Sequence, residues 1–375
     1  MEQHRRARRY YQSCKKFIVQ GQNTNHWRPD RFNSKRLRLH YRNPEQNIIT
    51  EMISVILPVY NGETYLNDAI ESVLNQDFES FEFVIIDDCS SDRSKEILSK
   101  YQGDTRVNLI YNEENLGLFA TLNKGIFEAN GAFLKIWAQD DIMMPGCLAT
   151  FQSAFHTYPK SSFIWSQSSP IMSQDSLQHL ASSDSASLGL ANDVELWDIE
   201  KCLRHFWYCG SLHGNISLFG FSKEIWSKLG GFNTALIYSG DIDFTERALH
   251  VGHPMCIPNP TVWLRNHDEQ LSKSINHLHY EQLENFSVFA NVRKQTIAKT
   301  SLLPYAIQCE KDKQIPYFVS NALRVIRQNP KRGIMMLRLI SGNYVYGSVI
   351  FYWIRAQLLR RLAPHRLIKL YPKSS

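Results

Sequence analysis

Four clusters in this 375-residue chain have the residue types and spacing to do chemistry. Asp87-Asp88 close the apolar run FEFVII, and Asp140-Asp141 follow the run Ala132–Trp137 within AQDDIMMP. Asp241 and Asp243 lie in SGDIDF, ahead of the helical stretch FTERALHVG, and Arg265 and His267 follow TVWL. Adjacent aspartates offer hard oxygen ligands suited to Mg²⁺ or Mn²⁺, which bridge protein and phosphate oxygens. An aspartate in the third cluster has the chemistry of a general base, taking the proton of an attacking hydroxyl. Arginine suits phosphate and histidine is a common metal ligand. Each cluster also has a plain structural reading, as a solvated turn, a helix cap or a surface loop. Taken singly, none of the four decides between the two readings.

The chain has no G-x-G-x-x-G after its first strand and no G-x-x-x-x-G-K-[ST] anywhere. Neither a dinucleotide fingerprint nor a P-loop is present. A nucleotide would have to be held by carboxylates, through base or ribose hydrogen bonds or through a divalent cation on the diphosphate.

The elements that must position these groups alternate. Ile53–Tyr60 reads as a strand ending in turn chemistry at Asn61-Gly62. Leu66, Ala69, Ile70, Val73 and Leu74 give helical spacing over Tyr65–Gln76. Phe81–Ile86, Val107–Tyr111 and Ala132–Trp137 read as further strands. Helices are expected from an Asp92 cap through Tyr101, and over Leu116–Ala129. Alternation of this kind predicts an α/β fold with a mostly parallel central sheet, whose ligands bind beyond the strands' carboxyl ends. Both aspartate pairs fall there. Ser161–Asn192, rich in serine, reads as a long loop or irregular insertion, regular structure resumes near Val194, and a helical basic region follows Leu278. The expected organisation is a basic arm over 1–50, a catalytic domain over 51–277 with a nucleotide half (51–145) and an acceptor half (146–277), and a helical basic region over 278–375.

Charge is distributed unevenly. Met1–Arg42 holds twelve lysines and arginines against two acids, and Lys313–Ser375 holds twelve against none, so the stretch between is acidic. Basic ends favour a polyanionic surface. The C-terminal region, with Leu323, Ile326, Met335, Leu339 and the segment GSVIFYWIRAQLLRRLAPHRLIKL beside its cations, predicts attachment to an anionic membrane surface, against the alternative that its helices pack on the acidic body. No apolar run approaches the ~20 residues of a spanning helix, and none follows the N-terminus as in a signal peptide. The seven cysteines are odd in number and irregularly spaced, which argues against a disulfide framework or zinc site. These features predict a cytoplasmic protein, peripheral at the inner face of the cell membrane. Tyr10, Tyr11 and Trp27 among the N-terminal cations have base-stacking chemistry. With an acidic body and no nucleic-acid motif, nucleic acid is not the expected partner.

From Ile53 to Ser272 the sequence resembles the family 2 glycosyltransferases, with a GT-A type fold. The resemblance rests on SVILPVYNGETYLNDAIESVLNQ, FEFVIIDDCSSDRS, NEENLGLFATLNKGIFEANGAFLKIWAQDD, GGFNTALIYSGDIDFTERALHVG and RNHDEQLS, in that order. It implies an inverting transfer of a sugar from a nucleotide diphosphate sugar to a hydroxyl acceptor, a glycan or lipid-linked, as in surface polysaccharide or glycolipid synthesis. It further implies that Pro58, Tyr60 and Asp87 line the base pocket with Asp88 close by, and that Asn115 and Gly117 sit near the base or ribose. Asp140 and Asp141 would hold ribose, metal (Mg²⁺ or Mn²⁺) and diphosphate, with His267 reaching the metal or diphosphate. Asp241 would be the general base, with Asp243 supporting it. The sequence departs from the family's Asp-x-Asp at Ala138, which leaves open whether Asp140 or Asp141 holds the cation. The alternative reading is a nucleotide-sugar-binding protein without transferase activity.

Overall fold

The computed structural model describes residues 52–170, 194–267, 270 and 302–343, with 284, 285, 288, 289 and 292 between them. All belong to one compact unit, Glu51–Ser375. The expected arm over 1–50 and the segment beyond 343, including Trp353, lie outside the described residues.

Strand β1 (Ile53–Val59) is buried along its length except at Pro58, as a strand covered on both faces requires. Helix α1 (Leu66–Leu74) follows and buries Leu66, Ala69, Ile70 and Val73, one stripe of a 3.6-residue period. Then come β2 (Phe81–Asp87), α2 (Ser94–Ser99), β3 (Val107–Tyr111), α3 (Leu118–Glu128) and β4 (Phe133–Ile136). β2 and β4 flank β1 in parallel, and β3 pairs in parallel with β2. This half follows the expected alternation, each helix starting and ending a residue or two inside its expected bounds. The Asp92 carboxylate takes the Ser94 N–H at 3.0 Å and the Glu63 N–H at 2.9 Å, so it ties the start of α2 to the loop after β1.

The second half comprises β5 (Ile142–Met143), α4 (Cys147–Thr157), β6 (Ile164–Pro170), β7 (Glu195–Leu196), α5 (Ile199–Cys209), a 3₁₀ turn (Ile216–Leu218), β8 (Phe219–Ser222), α6 (Lys223–Leu229), α7 (Gly240–Ala248) and β9 (Met255–Leu264). One sheet runs β3-β2-β1-β4-β8-β6-β9-β5, with β7 also on β9. It is parallel across β1 to β4. Beyond β4 it turns mixed, with antiparallel β4–β8, β8–β6, β9–β5 and β9–β7 pairs and one parallel β6–β9 pair. The whole is a mixed α/β fold with a central sheet and flanking helices.

β6 corrects the expectation of a loop over Ser161–Asn192, whose remainder from 171 lies outside the described residues. Its polar sequence, IWSQSSP, is a strand whose buried half is Ile164–Ser166, with Gln167 exposed. Ser166 is buried and its Oγ lies 2.6 Å from Thr261 Oγ1 on β9.

Toward the C-terminus are α8 (Leu303–Cys309), a π-helical turn (Glu310–Gln314), α9 (Ile315–Gln328) and α10 (Pro330–Asn343). α9 and α10 form an apolar cluster of Ile315, Phe318, Val319, Ala322, Val325, Met336 and Ile340. Gln314 Nε2 donates to the Trp207 carbonyl at 3.3 Å, which joins this region to α5.

Candidate active site

The residues expected to line a base pocket lie at the carboxyl ends of β1 and β2. Tyr60 is exposed beyond the half-buried Pro58. The Tyr60 backbone N–H donates to Gln139 Oε1 at 2.9 Å, and Gln139 Nε2 donates back to the Tyr60 carbonyl at 3.1 Å. The middle residue of AQDD therefore clamps the loop after β1. Asp87 is fully buried. It accepts the Ser90 N–H at 3.2–3.3 Å and has Lys95 Nζ at 3.9 Å. Tyr111, paired with Asp87 across β2 and β3, is exposed, and burial of its hydroxyl followed by the Asp87 charge pushes its pKa up.

Asp88 is consumed by the scaffold. Its Oδ1 accepts from Asn112 Nδ2 and the Leu116 N–H, and its Oδ2 from the Gly117 N–H, all at 2.8 Å. These bonds shape the turn into α3, where Gly117 has φ +85°, a left-handed value that glycine adopts without a Cβ clash. Asn115 Nδ2 reaches the Asp88 carbonyl at 3.3 Å. Asp88→Asn puts an NH₂ where three donors already converge. We expect it to lower stability by about 2–3 kcal/mol, the scale of a lost buried hydrogen bond to a charged group. Urea denaturation measures this, and an unchanged midpoint would contradict it.

The carboxyl end of β4 separates the second pair. Asp140 is partly exposed and its Oδ2 lies 3.0 Å from His267 Nε2. Tyr65 packs on the His267 ring at 4.5 Å, and Arg265, held to Asp68 at 2.5 Å, lies over the same tyrosine. Asp141 turns inward and is buried. Its Oδ2 accepts from Ser217 Oγ at 2.6 Å and its Oδ1 from the Arg265 N–H at 3.2 Å. Burial, then the neighbouring Asp140 charge, pushes the Asp141 carboxyl up. Ser217 is a hub: its Oγ also accepts the Ala138 N–H at 3.1 Å, and its carbonyl accepts from Lys135 Nζ. Lys135 is fully buried over Trp137 and Phe151, and that burial pushes its pKa down to about 8.

Among the described residues no group of three histidines, cysteines or acids is arranged to hold a metal ion by itself. Mg²⁺ ordinarily takes one or two carboxylates and completes its shell with substrate phosphates and water. The residues present fit that case. Asp140 presents a partly exposed carboxylate beside His267, whose buried Nδ1 has no partner among the described residues. Asp140 and His267 are the two residues that would hold such a cation. Asp141 is buried, with one hydrogen bond to each oxygen, and does not present its carboxylate to solvent.

Asp241 and Asp243 lie in the first turn of α7, whose positive end favours carboxylates. Gly240 just before them lets this turn sit close on Phe119, since a Cβ there would lie 2.6 Å from that ring. Asp241 Oδ2 lies 3.0 Å from His213 Nε2 and Oδ1 accepts the Ile242 N–H at 2.9 Å. Asp243 is engaged by Arg247, Nε to Oδ2 at 2.9 Å, and burial pushes its carboxyl up. Arg247 also donates to the Leu229 and Gly231 carbonyls, so Asp243 anchors the helix to the turn after α6. The short segment His213–Ser217 thus bonds to both acidic clusters, His213 to Asp241 and Ser217 to Asp141.

His213, Ser217, Gln139 and Lys135 were missed by sequence reasoning. A lysine inside an apolar strand, FLKIW, was a visible signal. A lone histidine in LHGN had no spacing to mark it.

The fold defined here is GT-A type. It is similar to the crystal structure of S. aureus TarS 1-349 in complex with UDP-GlcNAc, with a TM-score of 0.51 and 15% identity, over 83% of this chain and 92% of that one. The glycosyl transferase family 2 model matches residues 54–187 of the chain. Among curated relatives, the Bacillus subtilis (strain 168) glycosyltransferase TuaG, whose name assigns it to teichuronic acid biosynthesis, is 38% identical over 91 residues, 24% of this chain and 36% of that protein. A Haemophilus influenzae glycosyltransferase is 24% identical over 310 residues, 77% of this chain and 99% of that one. The matched stretch spans about a third of the length of the first curated relatives, 36% and 37%.

Proposed function

We propose that the chain transfers a sugar from a nucleoside diphosphate sugar to a hydroxyl acceptor, inverting the anomeric carbon. The observation that carries this reading is the His213–Ser217 segment, which bonds Asp241, suited to a hydroxyl proton, and the buried Asp141, whose neighbour Asp140 is partly exposed and suited to a cation and diphosphate. In a single in-line displacement the acceptor oxygen attacks opposite the leaving diphosphate. Its proton passes to Asp241 as the new bond forms. A divalent cation bound at Asp140 and His267 would supply charge stabilisation to the leaving diphosphate. Pro58, Tyr60, Asp87 and Tyr111 border the space for the base. Calorimetric titration of nucleoside diphosphates with and without Mn²⁺ tests the donor side. Binding that requires the cation supports the reading; no binding of any nucleoside diphosphate in either condition counts against it.

The acceptor fits a growing surface glycan or its lipid-linked precursor, a reading supported by the TuaG name. The protein then works at an anionic membrane surface. Arg324, Arg327, Lys331 and Arg338 are exposed on α9 and α10, Tyr317 and Ile334 are exposed beside them, and no acid occurs from 315 to 343. Each such cation near an anionic leaflet contributes about 1 kcal/mol. No helix among the described residues is long and apolar enough to cross a membrane. Full-length protein is expected to sediment with anionic but not neutral liposomes at low salt, and the triple variant Arg324→Glu, Arg327→Glu, Lys331→Glu to lose at least ~100-fold in affinity, on the order of 1 kcal/mol per cation. Equal sedimentation of the two proteins would remove these helices from the membrane.

A further inference from the structure

His213 has no role in the sugar-transfer scheme so far, yet its placement is costly. Its side chain is wholly buried, and its ring packs against Phe219 at a centroid distance of 4.6 Å. Phe219 itself belongs to an aromatic cluster with Phe221, Phe232 and Phe244. A phenylalanine would suit that environment without leaving polar atoms to satisfy. Among the described residues the imidazole makes one side-chain hydrogen bond, Nε2 to Asp241 Oδ2 at 3.0 Å, while its buried Nδ1 has no partner. A proton on Nδ1 would be a buried donor without an acceptor, which is rarer and more costly than an unused lone pair. The arrangement therefore keeps the single ring proton on Nε2, donated to the aspartate.

The Asp241 carboxylate is then fixed from two sides. Oδ2 takes the His213 Nε2–H and Oδ1 takes the Ile242 N–H, both within 3.0 Å. Neither bond uses up an oxygen, because each carboxylate oxygen carries two acceptor sites. We propose that His213 is the positioning residue of an Asp241–His213 dyad, holding the base carboxylate in one rotamer with free lone pairs for the acceptor hydroxyl. This role rests on Asp241 acting as the base. With no acceptor behind Nδ1, the ring orients the carboxylate and does not carry its proton onward. His213 also sits four residues before Ser217, which holds Asp141, so the same segment sets base and diphosphate side relative to each other.

The test compares His213→Phe, which keeps ring shape and packing but removes the donor, with His213→Gln, whose amide N–H can reach the position of Nε2. Steady-state transfer with a nucleotide sugar and acceptor, and thermal melting, are measured for both. His213→Phe is expected to melt at or above the wild-type temperature, keep donor KM within about threefold, and lose on the order of 10²-fold in kcat, the scale of a misplaced reacting group. His213→Gln is expected to stay within about tenfold of wild type in kcat. A Phe variant that turns over within threefold of wild type overturns the dyad alone. So does a Gln variant that melts normally yet falls more than 100-fold, and so does a loss confined to donor KM in either variant. Wild-type protein inactive with every donor overturns the transferase reading, and the dyad with it.

Discussion

Asp241→Asn is expected to lower kcat by about 10²–10⁴-fold, the range for loss of general-base help, with donor binding unchanged. The amide is nearly isosteric and its single oxygen can still accept the Ile242 N–H, which keeps the first turn of α7, while its NH₂ takes the place of Oδ2 opposite His213 Nε2. What is lost is a site for the acceptor proton. An interaction made only as that proton moves lowers kcat and leaves ground-state donor affinity alone. Asp243→Asn is expected to behave differently. Its carboxylate is held by Arg247, which also fastens the Leu229 and Gly231 carbonyls, so its loss should appear in melting temperature before turnover. The check is kcat and KM for both variants beside their melting curves. A collapse of donor affinity in Asp241→Asn with turnover preserved would make Asp241 a binding or folding residue.

Asp140→Ala is expected to lower kcat/KM by at least ~10³-fold, consistent with a cation's several kcal/mol of leaving-group stabilisation, and to abolish stimulation by added Mg²⁺ or Mn²⁺. Asp140 is the partly exposed member of its pair and faces His267. Asp141→Asn is expected to act through folding, since its oxygens already serve Ser217 and the Arg265 N–H. Titration of activity against metal concentration for wild type and both variants separates the roles. Full activity of Asp140→Ala in chelator would remove the cation from this site.

Much of the nucleotide half was legible because its signals are local. Apolar β-branched runs marked β1 and β2, helical spacing marked α1, and the aspartates at strand ends marked where a site would be. How the two aspartates of each pair differ was not legible. Asp87 and Asp88 are both buried while Asp140 is partly exposed and Asp141 buried, and each is told from its neighbour only by what its side chain meets. Asp88 meets two backbone N–H groups of the turn into α3, and Asp141 meets Ser217 from a segment 76 residues away. β6 was hidden by its polar residues, since its place in the sheet depends on pairing with β8 and β9, whose partner residues come more than 50 residues later. His213 was hidden for the same reason: its meaning lies in a contact with α7, 28 residues on.

Incubation of the purified full-length protein with a panel of nucleotide sugars differing in base and sugar, in the presence of Mn²⁺, tests the central claim most directly. Released nucleoside diphosphate is quantified for wild type, Asp140→Ala and Asp241→Asn. Wild type is expected to release nucleoside diphosphate from at least one donor, with stimulation by an acceptor glycan, loss of release in chelator and in Asp140→Ala, and retained donor binding without turnover in Asp241→Asn. Binding of a nucleotide sugar with no release from any donor, with or without acceptor, would contradict it and leave a nucleotide-sugar-binding protein in place of a transferase.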